Sequence, residues 1–160
     1  MIALVLLALV GYAACDTTCL KGWEQGSKSC YKVIDYRTDW VTAYMYCAAM
    51  RAQLADIESQ EEQDEVAAIL GKYKDLFEQF WIDLSDIEVE GQFKWMAFNQ
   101  NATYTNWIPG QPDNNAGKPA ENCVHINAKP FRKFGWNDHK CGAQLNFICE
   151  AFPEENTISG

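Results

Sequence analysis

Helical periodicity is confined to two early stretches of the chain. Thr38-Asp39-Trp40 opens a segment that runs through Met50, rich in Ala, Tyr and Met. Thr38 or Asp39 can supply its N-cap, so the pattern predicts a helix containing Cys47. Ser59 followed by Glu62 has the spacing of a capping box. Val66, Ile69 and Leu70 then recur at helical spacing, and Gly71 is read as the stop. Residues 52–57 read as a short strand between the two helices. After residue 80 the pattern changes. Residues 80–84 and 92–96 read as short strands flanking an acidic turn, and 123–127 and 147–151 as two more. All five Pro lie in this half. Between Trp107 and Glu121 stands a loop of Pro, Gly, Asn and Asp with little periodicity. A long polar loop within a domain is usually functional or disordered. The reading is an α+β domain: two helices first, then strands and loops.

The N-terminus sets the compartment. Residues 1–14 carry no charged side chain, and 2–10 form an almost unbroken apolar run, followed by Gly11, Ala13 and Ala14. That run is too short for a hydrocarbon core, which needs about 20 residues. It suits a secretory signal peptide, with cleavage after Ala13, Ala14 or Cys15. The expected map is a signal peptide at 1–15, one domain at 16–152 and a short polar tail at 153–160. The product is expected to be secreted and extracellular. In an oxidising space the seven cysteines should pair. Cleavage after Cys15 leaves six. Earlier cleavage leaves an odd thiol at Cys15 that can link two chains into a homodimer.

Composition then excludes several classes. A chain of 160 residues, 48% hydrophobic and 22% charged, is neither disordered nor too small for a core. Its 22 acidic against 13 basic side chains give a net charge of −9, which argues against a general nucleic-acid binder. No segment suits membrane insertion. There is no nucleophile elbow, phosphate loop or His pair at metal-helix spacing, so an enzyme is not expected.

The second half gathers oxygen donors. Asp86 and Glu90 bracket a turn. Gln111-Pro112-Asp113 sits in the long loop with Asn114 and Asn115 behind it. Glu121-Asn122 precedes Cys123, and Asn137-Asp138 follows Trp136. Carboxylates and carboxamides without Cys or paired His suit calcium, a hard cation taking six to eight oxygens. The donors come from separate loops, unlike those of an EF-hand.

These residues carry a resemblance. The chain resembles a C-type lectin domain of the long form. Cys19-Leu20-Lys21-Gly22-Trp23 with Cys30-Tyr31 looks like the N-terminal hairpin of that form. Trp81-Ile82-Asp83-Leu84 is similar to the family's Trp-Ile-Gly-Leu strand, with Asp83 in place of Gly. Glu90-Gly91-Gln92-Phe93-Lys94-Trp95, Asn106-Trp107, Trp136-Asn137-Asp138, Cys141 and Phe147-Ile148-Cys149-Glu150 continue it. The resemblance implies a C-type lectin fold with two small antiparallel sheets and a long calcium-binding loop. It implies disulfides Cys19–Cys30, Cys47–Cys149 and Cys123–Cys141. It also implies a sugar-binding calcium site of Gln111, Asp113, Glu121, Asn137 and Asp138, with Pro112 cis. Gln-Pro-Asp looks like the family's galactose or N-acetylgalactosamine type, and Glu-Pro-Asn is the mannose type. A second, auxiliary calcium maps onto Asp86, Glu90, Asn114, Glu121 and Asn122. Amides at 114 and 122 lower its ligand charge and should weaken it.

Galactose-type members commonly place a Trp where this chain has Asn115, so weak galactose selectivity is expected. Phe131, Phe134 and His139 are the aromatic substitutes in reach. Asp86 and Glu90 can also be read as solvated turn residues, and Trp81, Trp95, Trp107 and Trp136 as core. Asn101-Ala102-Thr103 is a glycosylation sequon. Two functions remain: a secreted calcium-dependent lectin for glycans with terminal galactose or N-acetylgalactosamine, in glycan recognition or innate immunity, and a calcium-stabilised protein-interaction module on the same fold.

Overall fold

The computed structural model describes residues 18–117, 120–129 and 133–153. The expected signal peptide, Cys15 and residues 154–160 of the tail lie outside them. A two-residue strand β1 (Glu24–Gln25) forms a hairpin with β2 (Cys30–Thr38), closed by the Cys19–Cys30 disulfide. Helix α1 (Trp40–Ala49) starts at Asp39, whose carboxylate accepts from the Thr42 backbone N–H at 2.9 Å. Of the two candidate caps, Asp39 therefore caps the helix. The Thr38 carbonyl instead accepts from the Trp81 indole at 2.9 Å.

Strand β3 (Gln53–Leu54) is shorter than the sequence suggests: its ladder with the last strand covers these two residues, after which the Ala55 N–H makes one more bond to the Ile148 carbonyl at 3.0 Å. Helix α2 (Gln60–Gly71) has the predicted cap: the Ser59 hydroxyl accepts from the Glu62 N–H. The Glu62 carboxylate reaches back to the N–H of Glu58, one residue earlier than in the usual reciprocal box. Gly71 is the last helical residue and not a left-handed cap; the C-cap is Lys72 in a right-handed conformation. The chain continues through β4 (Gln79–Ser85), β5 (Lys94–Trp95), β6 (Gln100–Asn101), a 3-10 turn (Asn114–Gly117), β7 (Cys123–Asn127), β8 (Gly135–His139) and β9 (Leu145–Ala151).

The expected pair of separate antiparallel sheets needs correction. The strands form one connected mixed sheet, because β4 pairs antiparallel with β7 and parallel with β9. This central strand joins the two halves, and six of its seven residues are buried. The core lies on both of its faces. Phe80, Ile82 and Leu84 pack with Val66 and Leu70 of α2, while Trp81 packs with Trp40 and Cys47 of α1. Trp81, Trp95 and Trp136 are fully buried, and Trp107 is half-buried with its ring 4.9 Å from that of Phe93. The Cys47–Cys149 disulfide ties α1 to β9 across this core, and Cys123–Cys141 links β7 to the turn after β8. That second bridge excludes the zinc ligation these two cysteines and their neighbouring histidines could suggest.

Asp83, standing where the family strand has Gly, is fully buried in β4. One carboxylate oxygen accepts from the Ala97 N–H at 2.7 Å, and the other has no partner. Burial pushes its pKa up to about 8, and the nearby Asp56 carboxyl adds to the rise. Glu150 is likewise pushed up to about 9, first by burial and then by its hydrogen bond to Asp56. Both groups bind protons more tightly folded than unfolded. Their contribution to stability is therefore complete below about pH 4 and is lost as pH rises through about 8 to 9. In the presence of a calcium chelator, the melting temperature should fall across that window, by about 2–4 °C per kcal/mol lost for a chain of this length. Asp83→Asn should flatten the fall; thermal melts of both proteins from pH 4 to 9 check this.

Candidate functional site

The long loop is anchored to β8 ahead of its oxygen-donor residues. The Ile108 N–H donates to the Trp136 carbonyl at 2.9 Å, and the Trp136 N–H donates to the Asn106 carbonyl at 2.8 Å. Trp136 is itself held by its indole, which donates to the buried Gln63 side chain of α2 at 2.8 Å. A helix residue thus sets the strand, and the strand sets the loop. Gly110, at φ +91°, turns the chain into the cis Gln111–Pro112 bond. A side chain there would strain this left-handed backbone.

Asp138 closes the arrangement. One of its oxygens accepts from the Asp113 N–H at 3.2 Å, the other from the Asn114 N–H at 2.7 Å. The Asn114 side-chain oxygen accepts from the Glu121 N–H at 2.7 Å, drawing the far end of the loop back to its start. As a result Asp113, Glu121 and Asp138 each offer an oxygen within 4.8 Å of one another. Asp138 is 1% exposed and Glu121 8%, whereas Asp113 is exposed. Three carboxylates this close repel strongly where water is scarce, and a cation relieves that repulsion.

The amides complete the donor set. The Gln111 side-chain oxygen is buried and has no hydrogen-bond partner. The Asn137 amide nitrogen donates to the Asp138 carbonyl and lies 3.4 Å from a His125 ring nitrogen, which leaves the amide oxygen as its available ligand atom. All five expected main-site residues therefore sit on the loop, its return or β8. Three converging carboxylates and a buried, unpartnered Gln111 oxygen in the same loop fit a hard, oxygen-seeking cation such as calcium.

Nearby, Asp86 and Asn122 are brought together: the Asp86 N–H and the Ser85 hydroxyl both donate to the Asn122 carbonyl, at 3.2 and 2.6 Å. The second Asp86 oxygen accepts from the Gly91 N–H at 2.7 Å. One Asp86 oxygen and the Asn122 side-chain oxygen are buried without partners. Burial raises the Asp86 pKa, and the negative charge of Asp138 adds to the rise. Asp86 is therefore buried and not a solvated turn residue, whereas Glu90 is exposed. The Asn114 oxygen is already engaged by Glu121.

Sequence reasoning missed the layer behind these candidate residues. His139 lies 3.2 Å from a Glu121 oxygen and holds that carboxylate. His125 is 1% exposed, with its ring centre 5.6 Å from that of His139 and 6.0 Å from that of Trp81. Burial drives its pKa down to about 4, so it is neutral at physiological pH. Only the pairing of β7 with β8, which sets His125 opposite Asn137, reveals the role of this layer. His139 is thereby committed to Glu121, and Phe134 packs against the core beside α2, so neither is placed as a stacking platform. Phe131 lies outside the described residues. Lys129 pairs with Glu78 at 2.9 Å. Asn101 is exposed on β6.

Among the described residues no helix is long and apolar enough to cross a membrane. The family model described as the lectin C-type domain matches residues 36–151. A salivary C-type lectin 2 from Aedes albopictus is 34% identical over 152 residues, covering 92% of this chain and 95% of the relative. Perlucin from Haliotis laevigata is 31% identical, covering 82% of each chain. Among solved structures, the C-type carbohydrate-recognition domain of cow CD23, in the presence of a GlcNAc2Man3 oligosaccharide, aligns with a TM-score of 0.74 at 33% identity. That alignment covers 86% of this chain and 98% of the cow domain.

Proposed function

This chain belongs to the C-type lectin domain family, and on that premise we propose that it is a secreted, calcium-dependent lectin for glycans ending in galactose or N-acetylgalactosamine. The observation that carries the reading is the convergence of Asp113, Glu121 and Asp138, with the Gln111 oxygen of the same loop buried and unpartnered. Gln111, Asp113, Glu121, Asn137 and Asp138 would hold the ion. Bound there, calcium supplies coordination for two neighbouring sugar hydroxyls. The chain's own groups discriminate among sugars. Asp113 already accepts the Asn115 N–H through one oxygen, leaving the other for ion and sugar. Gln111, unlike Asp113, also carries an amide N–H that can donate. That order of donor and acceptor supports the galactose-type assignment. Asn115 stands where an aromatic would stack on the sugar's apolar face, and modest selectivity is expected.

Secretion rests on the apolar N-terminal run and the three disulfides, which persist in oxidising compartments. Exposed Asn101 is accessible for glycan attachment. The role is recognition rather than catalysis, in glycan sensing or innate defence.

Galactose-agarose tests the proposal. The chain should be retained with calcium present, and released by a chelator or by free galactose. Absence of binding to any sugar resin, with calcium binding intact, would leave the interaction-module reading in its place.

A further inference from the structure

Helix α1 holds no charged residue in a chain of net charge −9. Its inner face packs through Trp40, Ala43 and Cys47. Its outer face exposes Val41 at 54%, Met45 at 61% and Tyr46 at 41%. Ala48 and Ala49 are exposed beside them. Val41, Met45 and Ala49 are spaced four apart and form one ridge along the helix. Tyr46 is braced from both sides: its ring stacks 6.3 Å from that of Tyr36 on β2 and lies edge-on 5.3 Å from that of Phe147. A rigid exposed aromatic beside a large apolar ridge marks an interaction surface.

From this face we infer that the occupant of α1 is a second copy of this chain, paired antiparallel about a two-fold axis at Met45. The sequence of the face is complementary to itself under that operation. Met45 meets its own copy, and Val41 of one helix lies over the small Ala49 of the other. Asp39 at the N-terminal end meets Arg51 just beyond the C-terminal end, twice. Asp39 and Arg51 make no ion pair within the chain among the described residues. A two-fold contact uses the same patch on both copies, so every complementary pair counts twice. Antiparallel helices also set their dipoles against each other favourably. On a protein this acidic, an uncharged face with a mixed-sign rim is where two copies approach with least repulsion. One ten-residue helix limits the buried area to the low end of specific interfaces, below about 1,200 Å². The dimer is therefore expected to dissociate in the micromolar range.

The inference does not depend on sugar binding, and its test is run with a chelator and without sugar. The secreted chain with Cys15→Ser excludes a disulfide-linked dimer. Sedimentation velocity from 1 to 200 µM should show this protein passing from monomer to dimer. Met45→Glu and Ala49→Glu, both at exposed helical positions, should each weaken association at least tenfold. Val89→Glu, at an exposed apolar residue elsewhere, should leave it unchanged. A Cys15→Ser protein that stays monomeric at 200 µM would overturn the proposal. So would a Met45→Glu protein that dimerises as before, or equal weakening by Val89→Glu. Melting temperatures of the variants confirm that each is folded, and Ala49→Glu carries the test should Met45→Glu fail to fold.

Discussion

Asp138→Ala should abolish calcium binding and also weaken the calcium-free protein. Asp113→Ala should abolish calcium binding and leave the calcium-free protein as stable as before. The contrast follows from burial. Asp138 is 1% exposed and holds two backbone N–H groups of the loop as well as a ligand position. Its loss strands those donors, at about 1–3 kcal/mol for each that stays buried. Asp113 is exposed, and its carboxylate holds one local N–H, that of Asn115. For either variant a loss of calcium affinity on the order of 100-fold or more is expected, at or beyond the upper end of what even an orienting partner of a ligand contributes. Melting curves with and without millimolar calcium separate the two effects. The parent should gain stability as RT ln(1 + [Ca]/Kd). Both variants should lose that rise, and only Asp138→Ala should melt lower with chelator. A calcium-dependent rise persisting in Asp113→Ala would remove this residue from the ion site.

Replacing Cys47 and Cys149 by Ala should be the most destabilising change outside the site. The bridge spans 102 residues of sequence and joins two cysteines that are both fully buried. In the chain-entropy account a loop of that length is worth about 4.7 kcal/mol, a large part of the stability of a domain this size. By contrast Cys19–Cys30 spans 11 residues, and Cys19 is only partly buried. Its removal should cost less and leave the core intact. Urea unfolding of the two double variants checks the order; equal losses would show that strain or residual unfolded structure, and not loop length, sets the effect.

The two helices and their caps were legible because their signals are local. A capping carboxylate or hydroxyl acts within four residues, as Asp39 and Ser59 do. Strands were most fully legible where burial runs unbroken over a ladder, as in β4, β7 and β9, while 52–57 and 92–96 shrank to two-residue pairings. Strand β2 escaped the pattern reading because its register shifts between Ile34 and Thr38 in pairing with β9, which breaks the period of two. Strand β8 escaped it because Asn137 and Asp138 look like loop residues. They become strand residues through pairing with His125 and Val124, more than ten positions away.

The site divides in the same way. The identities of its proposed ligands, Gln111, Asp113, Glu121, Asn137 and Asp138, stand in the chain as oxygen donors of the right hardness for calcium. Those facts need no fold, since ligand chemistry belongs to the residue type. The sequence by itself also determined the acidic balance, the signal-like N-terminus and the cysteine count. Only the tertiary structure decided that three of the carboxylates converge, that Asn114 braces the loop, and that His125 and His139 lie behind the ligands. It alone turned Asp83 into a buried acid and left the outer face of α1 bare. The reason is physical: convergence, desolvation and exposure depend on which distant segments meet. Here they meet through the parallel β4–β9 pairing and the Trp136–Gln63 hydrogen bond, contacts that span dozens of residues and leave no local period to read.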